Sequence, residues 1–231
     1  SNPGATVLHN LICSRAVPEV VRESGGVPVR TKVGHSFIKQ QMLDTGAMYR
    51  AVTVACLDAG VDLDDGAACG AIGAACRIDL HDDGTVVLDG RDVTARIRTP
   101  EVTARVSMVS AHAQVRETMV AHQRAWADQR DGGVVEGRDI GTVVFPDAVL
   151  KVFLVASPQE RARRRLLDEQ SAGRGADFDA LVADIERRDA YDAQRENSPL
   201  RAADDAVHID TTDFSVDEVV ADIVRLYEER T

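Results

Sequence analysis

Aromatic side chains are scarce in this sequence, at 4% of 231 residues, although hydrophobic residues as a whole reach 44%. A core with so few rings has to be aliphatic, and the many Ala and Val residues suit helices packed on parallel strands in an ordinary globular protein. Wholesale disorder does not fit such a composition. Positive charge is also in short supply, because 27 Lys and Arg stand against 38 Asp and Glu, a formal net charge of -11. Proteins that hold DNA or RNA gain affinity by neutralising phosphates, so no nucleic-acid partner is expected; a small anion in a local basic pocket remains compatible.

Cysteine occurs only as Cys13, Cys56, Cys69 and Cys76, without a CxxC pair or an accompanying His cluster. That gives a zinc site or a disulfide framework little support, and reduced core thiols are the expectation. No apolar run comes near the ~18 residues of a membrane span, and no basic segment followed by an apolar stretch opens the chain. A cytoplasmic location without a membrane partner is therefore expected. The opening Ser1-Asn2-Pro3, with no Met, is expected of a processed or excised chain. The length suits one large α/β domain, or a domain carrying an insertion, and a monomer is expected.

Along the chain, residues 5–12 read as a strand, Ser14 caps a helix through Glu23, and Gly25-Gly26 ends it before a second strand, VPVRTKV. Met48, Val52, Ala55 and Cys56 recur at helical spacing after the motif LDTGAMYR, with Gly60 as a stop. Residues 77–98 turn at Asp82-Asp83-Gly84 and at Asp89-Gly90, which predicts a small antiparallel insertion, and a helix is predicted from there through about Trp126. GGVVEGRD and VLKVFLVA read as buried strands separated by a turn at Gly141 and Pro146. Ser157-Pro158-x-Glu160 starts an arginine-rich helix that runs into the Gly-rich SAGRGAD, and a second helix bears Arg187, Arg188 and Arg195. The flexible middle predicts a mobile lid. AVHIDTT gives a last strand, and an amphipathic helix from Ser215 closes the domain.

Five blocks carry the chemistry: LDTGAMYRA (43–51), GRDVTARIRTPEV (90–102), VEGRDIGTVVFPDA (135–148), SPQERARRR (157–165) and RRDAYDAQRENSPL (187–200). In this order and spacing, residues 43–231 resemble bacterial cytidylate kinases. The resemblance implies an α/β fold, a P-loop-kinase-type parallel sheet with flanking helices, a small monophosphate-binding insertion (about 77–115) and a lid (about 163–178). It implies transfer of the γ-phosphoryl group of ATP, with Mg2+, to CMP or dCMP, without a covalent protein intermediate.

By the same resemblance Arg50, Arg138 and Arg195 hold the acceptor phosphate, for which a planar, always-charged guanidinium is suited. Surface salt bridges are the plain alternative. Asp139 is the acceptor for the cytosine amine, and Ser107 and Arg116 supply the remaining base contacts. Thr45 stands where relatives carry a small hydroxyl residue near the nucleotide, or else caps a helix. Arg188 and Asp192 match residues that hold the sugar hydroxyls, with an i,i+4 ion pair as the alternative. Arg161, Arg164 and Arg165 resemble lid arginines that close on the donor side, with a solvated basic helix face as the alternative.

One part of that family's pattern is missing. The family opens with a strand, a Gly-rich loop ending in GK[ST] and a helix, yet the three lysines here, Lys32, Lys39 and Lys151, never follow a glycine. No G-x-x-x-x-G-K-[ST] can be written, and Gly34 to Lys39 is only an echo of it. Residues 2–42 instead resemble a piece of the phosphomannomutase/phosphoglucomutase family around its GHS motif, with His35 as the matching residue. The mutase's phosphoserine loop and sugar loop are absent, so a phosphohexomutase role has little support. The expectation is a segment of different origin over 1–42, whether natural fusion, chimera or misassembled chain, joined to a cytidylate-kinase-like body over 43–231. Turnover is expected to be severely impaired, with a non-catalytic CMP-binding remnant or an unstable fold as the competing readings.

Overall fold

In the computed structural model, residues 5–10, 42–81, 83–130, 132–171, 173, 175–194 and 197–230 are described, residues 5–10 by their backbone alone. The helix after Ser14, the strand VPVRTKV, Cys13, His35 and Lys39 lie outside them. The central feature is a parallel sheet of β1 (Ala5–Asn10), β2 (Met42–Asp44), β6 (Gly133–Gly137), β7 (Leu150–Val155) and β8 (Val207–Asp210), in the order β2-β6-β1-β7-β8. β1 occupies the middle, with His9 opposite Gly137 on one side and Asn10 opposite Leu154 on the other. A sheet lacking its central strand would leave two rows of backbone donors and acceptors without partners. The strand expected at 5–12 fills that place.

β6 is buried along its whole length, and Leu150 and Val152 of β7 are buried too, as parallel strands covered on both faces require. α1 (Thr45–Ala59) lays Met48, Val52 and Cys56 into the core formed with Leu43, Val135 and Ile140. Each such aliphatic side chain contributes about 1.5–3 kcal/mol of transfer free energy. The helix stops where expected, at Gly60 with φ 66, a conformation that favours glycine. Cys56, Cys69 and Cys76 are buried free thiols, and burial pushes that of Cys56 up to about 12.

The predicted insertion is a three-stranded antiparallel sheet, β3 (Ile78–Leu80), β4 (Val86–Leu88) and β5 (Arg91–Asp92), whose second turn has positive φ at both Asp89 (49) and Gly90 (80). Asp58 at the end of α1 holds it through Arg91 at 3.0 Å and Arg96 at 2.9 Å. Two elements depart from the sequence reading here. α2 (Gly66–Ala75) is a helix in an Ala- and Gly-rich stretch, started by the Asp65 side chain, which accepts from the amides of Ala67 and Ala68. The helix predicted through about Trp126 is two helices, α3 (Pro100–Val109) and α4 (Ala113–Asp128). They part because His112 is extended, at φ -67 and ψ 128, with its Nε2 2.7 Å from the Leu63 carbonyl.

The arginine-rich pair is α5 (Pro158–Ser171) and α6 (Phe178–Gln194), and Ser157 caps α5 by accepting from the Glu160 amide. The helix expected from Ser215 is α7 (Val216–Glu228), and a capping box joins Ser215 and Glu218 at its start. No described helix is long and apolar enough to cross a membrane.

Candidate active site

In open parallel sheets ligands bind beyond the carboxyl ends of the strands. Here the ends of β2 and β6 deliver Asp44 and Arg138-Asp139 to that edge. Asp44 caps α1, accepting from the Ala47 amide at 3.0 Å, so Thr45 is not the cap that one reading allowed. The Thr45 hydroxyl instead donates to the Glu136 carbonyl at 2.7 Å and is buried. A Cβ on Gly137 would lie 2.4 Å from that hydroxyl oxygen, so this close approach of α1 to β6 needs glycine.

After Gly137 the chain does not simply turn. Residues Ile140–Val144 form a π-helical turn, in which the Val143 amide donates to the Asp139 carbonyl at 2.8 Å and the Phe145 amide donates to Ile140 at 2.7 Å. π turns are rare and concentrate at functional sites. Both acidic and basic groups of this corner are engaged. Arg116 of α4 donates to the Asp139 carboxylate, to the Ser110 carbonyl at 3.2 Å and to the Ser198 hydroxyl at 3.0 Å, and its guanidinium lies over the Tyr49 ring at 5.4 Å. Arg138 pairs with the buried Asp192 of α6. The alternative that pairs Asp192 with Arg188 is therefore not what the chain adopts. Ser107 is half-buried on α3, its carbonyl accepting from the Ser110 hydroxyl, beside the residue that holds Arg116.

Arg50 of α1 donates to the Ile97 carbonyl at 3.0 Å and to the Thr103 hydroxyl at 2.9 Å, so it is not a surface salt bridge. Burial, then the nearby cation Arg188, then Arg165 and Arg98, lower its pKa to about 10 against the pull of Asp44. Arg188 is depressed likewise, by burial first and then by Arg165, and its buried Nε has no hydrogen-bond partner among the described residues. Asp44 is pushed up by burial, although its capping bond, Arg98 and Arg50 oppose the shift. Like charges gathered in a partly buried place at such a cost are a sign of an anion site.

The three arginines expected on the donor side do not form a solvated face. Arg161 is buried and grips Asp189 with both Nη atoms. Arg164 reaches the residue just past β8, donating to the Thr211 carbonyl at 2.5 Å, and donates to Glu160 at 2.8 Å. Arg165 donates to Asp184 at 3.2 Å. Arg195 lies outside the described residues. Asp44 and Arg98 were not singled out from the sequence as site residues; the LDTG and IRTPEV blocks that contain them were the available signal.

A parallel sheet with an arginine-lined carboxyl edge, a small insertion and a helical pair is the architecture of a nucleotide-binding phosphotransferase. The cytidylate kinase family model matches residues 24–229, and the chain belongs to the cytidylate kinase family, whose members are nucleoside monophosphate kinases. Among its relatives, the cytidylate kinase of Shouchella clausii is 47% identical over 192 residues, 82% of this chain and 85% of the relative. That of Corynebacterium glutamicum is 48% identical over 194 residues, 83% and 84% of the two chains. That of Mycolicibacterium paratuberculosis is 48% identical over 192 residues, 82% and 84%. The family match begins at residue 24, upstream of the join expected near residue 42.

Proposed function

We propose that this chain binds CMP or dCMP at the edge formed by α1, β6 and α6, as the acceptor of a phosphoryl group from ATP. The observation that carries the reading is the gathering of Arg50, Arg188 and Arg165, with Arg50 and Arg188 held down in pKa by burial despite nearby Asp44, Asp184 and Asp189, beside the Arg116–Asp139 pair. The nucleotide lies against the cluster, with its phosphate at Arg50. Arg50 and Arg138 hold it, with Arg195, and Arg188 and Asp192 take the sugar. Asp139 accepts from the exocyclic amine of cytosine, while Ser107 and Arg116 meet the ring carbonyl and nitrogen, a donor and acceptor pattern that uracil does not match. Thr45 flanks the nucleotide from α1. Arg161, Arg164 and Arg165 set the charge on the donor side, where phosphoryl transfer depends on positioning and on neutralising charge over the transferred group.

ATP and Mg2+ are what family membership implies for the donor side. The sequence has no GK[ST] loop to cradle the β- and γ-phosphates. Among the described residues no group of three or more His, Cys, Asp or Glu side chains converges on a metal position. On this reading the residues named above supply the acceptor half, and the segment over 1–42 stands in for the P-loop unit. Turnover is lower than in an intact relative by several orders of magnitude. A second reading, a CMP binder without catalysis, is favoured by that same missing loop.

Calorimetric titration with CMP and a coupled ADP-release assay separate the outcomes. Saturable CMP binding with slow turnover supports the proposal, and binding with no turnover supports the second reading. Absence of CMP binding overturns both, and ordinary turnover overturns the impairment.

A further inference from the structure

A π turn is rare and concentrates at functional sites, so the contacts that hold its far end bear on the site. The holder here is Arg124 of α4. Its Nε donates to the Val144 carbonyl at 3.0 Å and its Nη2 donates to the Val143 carbonyl at 2.9 Å. Those are carbonyls at the end of the Ile140–Val144 turn, where a helical segment runs out of amides to pair with and where a cation is favoured. The start of the same segment is held by the same helix, since Arg116 donates to the Asp139 carboxylate. Positions i and i+8 share a helix face, so α4 acts as a two-point clamp on residues 139–144.

We propose that Arg124 is a positioning residue for nucleotide selection. By fixing the far end of the π turn, it sets the direction in which Asp139 and Arg138 present their side chains at the end of β6. It touches neither base nor phosphate. The backbone of Asp139 is bound into the same turn, its carbonyl accepting from the Val143 amide at 2.8 Å and from the Thr142 hydroxyl at 3.2 Å, so a change at Val143 and Val144 is felt there. Arg124 is itself exposed, so removing its guanidinium opens no core cavity. The inference rests on the reading that Asp139 recognises the cytosine amine.

The test is calorimetric titration of the full chain and of Arg124→Met and Arg124→Lys with CMP and with UMP, alongside thermal melts and amide exchange over residues 140–145. Loss of two hydrogen bonds from a charged donor weakens CMP binding in Arg124→Met by about tenfold. UMP, which makes no use of the Asp139 acceptor, loses less, so the preference for CMP shrinks. Arg124→Lys, able to reach one carbonyl, recovers part of that preference, and amides 140–145 exchange faster in Arg124→Met before any ligand is added. Unchanged CMP affinity and preference in Arg124→Met, with the unsubstituted chain binding CMP, overturn this inference alone. So does an equal loss for both nucleotides accompanied by a fallen melting temperature, which marks a purely structural contact. An unsubstituted chain that binds no CMP overturns the functional reading and this one together.

Discussion

Arg116 and Asp139 meet as an ion pair between α4 and the end of β6, with side chains 7% and 5% exposed. Two groups assigned separate contacts to a base are thus each other's partners, and Arg116 has further acceptors in Ser110 and Ser198. Removing one member of a buried pair leaves the other charge uncompensated, which costs about 3–5 kcal/mol. Arg116→Met is expected to destabilise the chain by that amount in urea unfolding, and Asp139→Asn, which keeps the shape, by less. Equal small losses for the two would show that water reaches the pair.

Asp44 gives a pH dependence with a definite sign. Burial raises its pKa above 3.8, so the folded chain holds the proton more tightly than the unfolded one. Its contribution is fully favourable below pH ~3.8 and is lost as pH rises through the higher folded value. Asp44→Asn keeps the oxygen that caps α1 but has no charge to desolvate. Melts from pH 3 to 8 are expected to show Asp44→Asn gaining on the unsubstituted chain as pH increases from ~4. A constant difference across that range would refute the assignment.

These residues also show what could be read before any coordinates. α1 was legible because Met48, Val52 and Cys56 repeat on one face and Gly60 closes the helix. β6 and β7 were legible because both faces of each are covered. α2 was not, because its Ala and Gly residues carry no amphipathic period; only Asp65 announced it. β2 is three residues long and overlaps a motif read as leading into a helix. At the site, motif blocks marked which residues gather, but not how they pair. Asp192 turns to Arg138 rather than to Arg188 four residues away, a tertiary choice that helix spacing does not encode. The π turn after Asp139 likewise leaves no periodic trace.

Gln123 offers a test of core energetics next to the proposed clamp. It is 1% exposed, and among the described residues neither its amide nitrogen nor its amide oxygen has a hydrogen-bond partner. A buried amide without partners costs about 1–3 kcal/mol, and an apolar group of similar shape avoids that cost. Gln123→Met is expected to raise the melting temperature by a few degrees in differential scanning calorimetry. A fall would mean that the amide is bonded to an internal water.

Arg188 sets stability against function. Asp184 is shared by Arg165 and Arg187, and Asp189 is taken by both Nη atoms of Arg161, so Arg188 has no ion pair of its own among the described residues. It lies near Arg165 and Arg161 as well as Asp184 and Asp189, and its buried Nε has no hydrogen-bond partner among the described residues. Such a group costs stability in the free protein and offsets it only when the nucleotide, whose sugar it meets, arrives. Arg188→Met is therefore expected to melt higher than the unsubstituted chain without ligand, by the equivalent of about 1 kcal/mol. With CMP near a hundred times its dissociation constant, the unsubstituted chain gains about 2.7 kcal/mol by mass action, and Arg188→Met at the same concentration gains far less. The two melting curves then cross in order as CMP is added. Parallel upward shifts of both proteins would place the nucleotide somewhere other than beside Arg188.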